Sequence, residues 1–148
     1  MIVQHFYDAD TSTLSYVVHD EGAGVGVVID PVTDFDPKSG WTGTASCERV
    51  AAYVDAQGLA IPFVLDTHAH ADHLSGIPFF VDRYGARSVI GWRITAVQAM
   101  FRDIFHLGAD FPVDGRQFDV LLRDGQELEA GRLRIRARYT PGHTPACM

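Results

Sequence analysis

The chain has 148 residues, with 12 Lys plus Arg against 19 Asp plus Glu and a formal net charge of −7. Its hydrophobic fraction of 47% and charged fraction of 21% fit one globular domain and exclude disorder, collagen and coiled coil. An acidic chain with no basic cluster is a poor partner for nucleic acid or an anionic membrane surface.

The first third reads as β-structure. Ile2 to Tyr7, Thr13 to His19 and Val25 to Ile29 are short and rich in β-branched and aromatic residues, and they predict an antiparallel meander. Gly22-Ala23-Gly24-Val25-Gly26 has neither the spacing nor the following helix of a dinucleotide loop and reads as a turn. The stretch from Asp30 to Thr44 holds prolines and glycines that argue against a regular element. A loop of that length suggests a functional role, such as shaping a substrate entrance. Ser46 is expected to cap a helix carrying Cys47, Val50, Ala51 and Val54 on one side, with Gly58 as its stop. Ile61 to Asp66 then reads as a buried strand of a βαβ-like unit.

After the polar THAHADH segment, Leu74 to Tyr84 reads as a helix stopped by Gly85, and Ser88 to Ile90 as a strand. Ile94 to Phe105 predicts a second helix whose apolar face of Ile94, Val97, Met100, Phe101, Ile104 and Phe105 should be core. Phe118 to Leu122 is apolar and fits either element. Glu127 to Glu129 and Leu133 to Tyr139 predict a hairpin around Ala130-Gly131. Arginines alternate with Leu133, Ile135 and Ala137, so one face is solvated.

Chemistry concentrates in two motifs. Thr67-His68-Ala69-His70-Ala71-Asp72-His73 follows the buried strand, and Thr140-Pro141-Gly142-His143-Thr144-Pro145 follows the last one. Imidazole and carboxylate are ligands for zinc and iron. Extended backbone points His68 and His70 the same way, toward one ion. Asp72 and His73 lie beyond the bend and can face a second ion at the roughly 3.5–4 Å spacing of two-metal sites. Packing these imidazoles together without a metal becomes costly once they are protonated. The plainer alternative has Asp72 capping the next helix with the histidines solvated, but clustered ligands are the denser signal. His68, His70, Asp72, His73 and His143 are therefore the candidate metal residues, with Asp72 also the candidate catalytic carboxylate. Pro141-Gly142 makes the turn that presents His143. The threonines beside it are candidates to orient it. His5 and His19 read as surface residues and His106 as a helix C-terminal residue.

HAHADH followed by TPGHT resembles the metallo-β-lactamase superfamily. With VIDPVTDFDPKSG before the first motif and GWRITAVQAMFRDIF between the two, the chain resembles the persulfide dioxygenase group, a neighbour of glyoxalase II. The resemblance implies an α+β fold, the αββα sandwich of two facing sheets with helices outside. It implies a mononuclear Fe(II) site built from His68, His143 and a later aspartate, with glutathione persulfide or a similar low-molecular-weight thiol derivative and O2 as substrates and sulfite as product. The glyoxalase II likeness implies instead a dinuclear hydrolase of thioesters or lactones, with Zn(II) as the alternative metal. There His68, His70 and His143 would hold one ion, and Asp72 and His73 the other.

The later aspartate of the family has no counterpart before Met148, since Asp110, Asp114, Asp119 and Asp124 all precede His143. The expectation is an N-terminal half of the sandwich, inactive by itself, with the inner sheet face uncovered and a tendency to dimerise. Cys47 and Cys147, 100 residues apart, form neither a metal pair nor a disulfide framework. No apolar run approaches the roughly 20 residues of a membrane span, and no signal peptide is visible. These features point to a cytoplasmic protein.

Overall fold

A computed structural model describes residues 1–70 and 73–148. Strands β1 (Ile2–Asp8), β2 (Thr13–His19) and β3 (Val25–Ile29) form the expected antiparallel meander. Asp8 closes the first turn by accepting the Thr11 N–H (3.0 Å) and hydroxyl (2.7 Å). The chain then runs β4 (Val32–Asp36), β5 (Trp41–Gly43), α1 (Ala45–Ala56), β6 (Ala60–Leu65), β7 (Leu74–Ser75) and α2 (Ile77–Tyr84). It continues through β8 (Arg87–Gly91), α3 (Ile94–Ile104), β9 (Val120–Leu122), β10 (Glu127–Ala130) and β11 (Leu133–Arg136).

Among the described residues the main sheet has the order β1-β2-β3-β6-β8-β9. The pairs β3–β6, β6–β8 and β8–β9 are parallel, so the C-terminal ends of four strands share one edge. Buried on both faces, these strands read as continuous apolar runs in the sequence. Val28, Val64, Val54 and Phe80 meet under α1 and α2 on one face. Val27, Leu65 and Val89 meet Ala130, Leu133 and Ala137 of the β10–β11 hairpin and its exit on the other. The layers are helix, sheet and the start of a second sheet, as expected for part of an αββα sandwich. The inner face is not bare: the hairpin lies on it and leaves a cavity of about 310 Å3 lined by Leu65, Val89, Leu122, Ile135 and Met148 among others.

Five local expectations are corrected. The 30–44 stretch contains strands, because its prolines sit at strand boundaries and not inside them. Asp36 builds the intervening turn by accepting from the Lys38 N–H (3.0 Å) and the Ser39 hydroxyl (2.6 Å). Ser46 does not cap α1. It lies inside the first turn and donates its hydroxyl to Asp8 at 3.0 Å, while the carboxylate of Asp34 on β4 accepts the Ala45 and Ser46 N–H groups.

The second helix begins at Ile77. Leu74 and Ser75 pair instead with Thr33 and Val32, and Gly76 sits so close to Pro31 and the Cys47 thiol that a Cβ would fall 2.6 Å from Sγ. The predicted core face of α3 is only half core. Ile94 and Val97 are buried on Ile90 and Ala146, but the last turn runs off the sheet and leaves Ile104 57% and Phe105 65% exposed. Gln98 occupies the remaining buried position. It accepts the Gly115 N–H at 3.0 Å and donates to Gln117 at 2.8 Å, which anchors the following loop.

His19 is buried, not a surface residue, with Nε2 2.8 Å from the Tyr53 hydroxyl. His5 is exposed, and His106 follows α3 at φ 51°. Among the described residues no helix is long and apolar enough to cross a membrane.

Candidate metal centre

The parallel strands deliver the chemistry to their shared C-terminal edge, the usual ligand position in such sheets. Asp30 follows β3, and Asp66, Thr67 and His68 follow β6. Main-chain bonds fix the junctions: Asp30 N–H donates to Leu65 O (2.8 Å) and Asp66 N–H to Val89 O (3.0 Å).

The imidazoles of both motifs converge. Ring centroids lie 4.1 Å apart for His68 and His70, 4.1 Å for His70 and His73, and 4.9 Å for His68 and His143, the last pair edge-on at 89°. This brings together four of the five predicted metal residues. Asp72 lies outside the described residues, both as candidate ligand and as candidate catalytic carboxylate. His143 is exposed at the rim, whereas the His70 side chain is 5% exposed. The tail carrying His143 is tied to the first motif by the Met148 N–H, which donates to Thr67 O at 3.0 Å. Thr67 Oγ1 lies 3.0 Å from His68 Nδ1, and Thr13 Oγ1 lies 3.4 Å from His73 Nδ1.

Two carboxylates that the motif reading passed over complete the cluster. Asp30 Oδ1 lies 3.1 Å from His70 Nε2. The same carboxylate accepts the Thr67 N–H (2.7 Å) and the Thr67 hydroxyl (2.9 Å). Burial pushes the Asp30 carboxyl up, but the bonds from His70 and Thr67 outweigh it and hold it below the usual carboxylate range. Asp30 occupies a left-handed backbone conformation, φ 50°, which a non-glycine residue adopts at some cost. The Ser15 hydroxyl bonds its carbonyl at 2.7 Å and helps hold it there.

Asp66 is buried, and burial pushes its carboxyl up to about 7. Its Oδ1 has no hydrogen-bond partner among the described residues. Ligand atoms of Asp30, Asp66 and His70 all lie within 4.8 Å of one another. The available signal for both aspartates was position: each is an acidic residue at the C-terminal end of a parallel strand.

Nitrogen and oxygen donors, a buried carboxylate oxygen with no partner among the described residues and clustered imidazoles form a donor set that fits a divalent transition metal. His68, His70, His73 and His143 bring together the imidazoles that could hold it. Asp30 orients His70, as carboxylates commonly do behind a metal-binding histidine.

The comparisons agree with this chemistry. The chain is 49% identical over 148 residues to a probable metallo-hydrolase of Burkholderia pseudomallei, covering 100% of this chain and 50% of that protein. It is 35% identical over 147 residues to glyoxylase B2 of Dictyostelium discoideum, covering 99% and 50%. It is 26% identical over 149 residues to the human mitochondrial persulfide dioxygenase ETHE1, covering 100% and 46%. The chain thus spans about half the length of these relatives. Among solved structures, ETHE1 of Myxococcus xanthus superposes with a TM-score of 0.71 at 27% identity, over 99% of this chain and 52% of that one. The family model described as the metallo-beta-lactamase superfamily matches residues 9–148, which include both histidine motifs and the strand ends that carry them. The chain therefore belongs to the metallo-β-lactamase superfamily.

Proposed function

We propose that the protein to which this chain belongs is a persulfide dioxygenase, acting on glutathione persulfide or a similar low-molecular-weight thiol derivative with a single ferrous ion. The reading rests chiefly on the likeness to ETHE1 along the whole chain, taken with the edge-on pair His68 and His143 at 4.9 Å. Two imidazoles and one carboxylate form a set that leaves coordination positions open. In that set His68 and His143 hold the ion. Asp30 and Thr67 keep His70 and His68 in place, and the Leu65, Val89 and Leu122 side chains keep the neighbouring space apolar. A bound ferrous ion supplies the redox chemistry that couples a persulfide to O2.

Metal analysis and oxygen uptake on the full-length protein test this. The expected result is about one iron per chain and oxygen consumption that depends on persulfide. Zinc as the native metal, with no such consumption, overturns it.

A second reading is a metal-dependent hydrolase with two ions. Two observations favour it: the His73 ring lies 4.1 Å from that of His70, tilted by 36°, a residue a one-ion site does not need, and a relative at 49% identity is described as a probable metallo-hydrolase. Two metals per chain and hydrolysis of a glutathione thioester would establish it in place of the first.

A further inference from the structure

The site described above leaves unused a pair of arginines on the same edge of the sheet. Trp92 and Arg93 follow β8, and Arg123 follows β9, so they leave their strands at the end where His68 leaves β6. The Arg93 guanidinium carbon lies 5.4 Å from the Trp92 ring centroid and 4.2 Å from that of Tyr139. The Arg123 guanidinium carbon lies 4.9 Å from the same Trp92 ring.

Among the described residues neither cation has a carboxylate partner. In a chain of net charge −7, Arg83, Arg116 and Arg136 each bond a carboxylate. Among the described residues no carboxylate lies within ion-pair distance of Arg93 or Arg123. The nearby Asp124 carboxylate accepts the Tyr139 N–H at 2.8 Å.

The platform is held in place. The Trp92 N–H donates to Leu122 O at 2.8 Å, and the Tyr139 hydroxyl donates to Pro145 O at 3.0 Å. Gly91 packs against Met148 and Ala146, in the tail that carries His143. Tyr139 precedes His143 by four residues, a reach of at most about 14 Å. Stacking occupies a guanidinium's face and leaves its N–H edge for an in-plane acceptor, the geometry that matches a carboxylate. A fork already fixed by aromatic rings loses little freedom on binding.

We infer that Arg93 and Arg123, stacked on Trp92 and Tyr139, form the subsite that takes a carboxylate of the substrate, so that carboxylate-bearing thiol derivatives are selected over neutral ones. The inference rests on the reading of the centre as one acting on low-molecular-weight thiol derivatives, and its test needs no turnover.

The test is titration of the full-length protein with glutathione and with glutathione diethyl ester, followed by calorimetry and tryptophan fluorescence. R93Q and R123Q should each weaken glutathione binding on the order of 10- to 100-fold, the range for a lost charge-assisted bond. R93K keeps the charge but loses the fork, so it should weaken binding almost as much with the fold intact. R87Q is the control. Arg87 also stacks on a ring, Phe63 at 5.9 Å, and has no carboxylate within ion-pair distance among the described residues, but it opens β8 at the opposite end of the strand. It should bind as the wild type does.

The diethyl ester should bind weakly and equally to wild type and R93Q. Wild-type affinity in R93Q and R123Q overturns the subsite. So does equal weakening in R87Q, an ester that binds as tightly as the acid, or no glutathione binding at millimolar concentration. If the arginine dependence holds but persulfide-dependent oxygen uptake is absent, the dioxygenase reading falls and the subsite stands. If uptake is present without arginine dependence, the subsite alone falls.

Discussion

Asp30 Oδ1 sits 3.1 Å from Nε2 of His70, joining the end of β3 to the first histidine motif across two parallel strands. The same carboxylate holds the Thr67 N–H and hydroxyl, so one residue sets both the loop and the ring. Asp30→Asn keeps the shape but removes the charge and leaves one oxygen to serve three donors. Metal affinity of the full-length protein should fall about 10- to 100-fold, the usual cost of losing a carboxylate behind a ligating histidine. Competition with a chelator measures it. An affinity within twofold of wild type would show that Asp30 has no such role.

Asp34 caps α1 from a neighbouring strand, accepting the Ala45 and Ser46 N–H groups. Asp34→Ala leaves those groups unpaired at the helix N-terminus. Denaturant unfolding should show a loss of about 0.5–2 kcal/mol. Asp34→Asn retains an acceptor oxygen and should recover part of it.

The thiol of Cys47 is fully buried, and burial pushes its pKa up from 9.0 to about 12. The folded state therefore keeps the proton over a range in which the unfolded chain has lost it. Fewer protons bound in the unfolded state means that stability falls as pH rises from about 9 to about 12. Below about 9 the thiol is protonated in both states and contributes no slope. Cys47→Ala should flatten the alkaline limb of a stability–pH curve measured by urea unfolding. In native protein at pH 8 a thiol reagent should modify Cys147, which is half-buried, and spare Cys47.

Phe80 of α2 is fully buried between the main sheet and α1, whereas Phe105, just past α3, is 65% exposed. Phe80→Ala should cost about 3–5 kcal/mol in unfolding free energy, from lost burial plus a cavity. Phe105→Ala should stay within about 0.5 kcal/mol of wild type. Reversed magnitudes would show that the last turn of α3 is covered in solution.

Strands β1, β2, β3, β6 and β8, the first and third helices and the clustering of the histidines were legible in the residues, because apolar period, glycine stops and histidine density are local signals. Val27 and Val28 announce a strand buried on both faces, and the spacing of His68, His70 and His73 announces a cluster of imidazoles. The two aspartates were harder. Asp30 and Asp66 carry no motif of their own, and each becomes part of the centre only when β3 and β6 lie side by side.

What tertiary structure alone decided follows one physical reason: a polar side chain bonds whatever packing brings to it. Ser46 has the composition of a helix cap, yet its hydroxyl goes to Asp8, and the cap comes from Asp34 on another strand. The apolar stripe of α3 has full helical period, yet its last turn lies beyond the edge of the sheet it would bury against. The meeting of His143 with His68 depends on two strand ends far apart in sequence reaching one edge, and spacing within either motif carries no information about that distance.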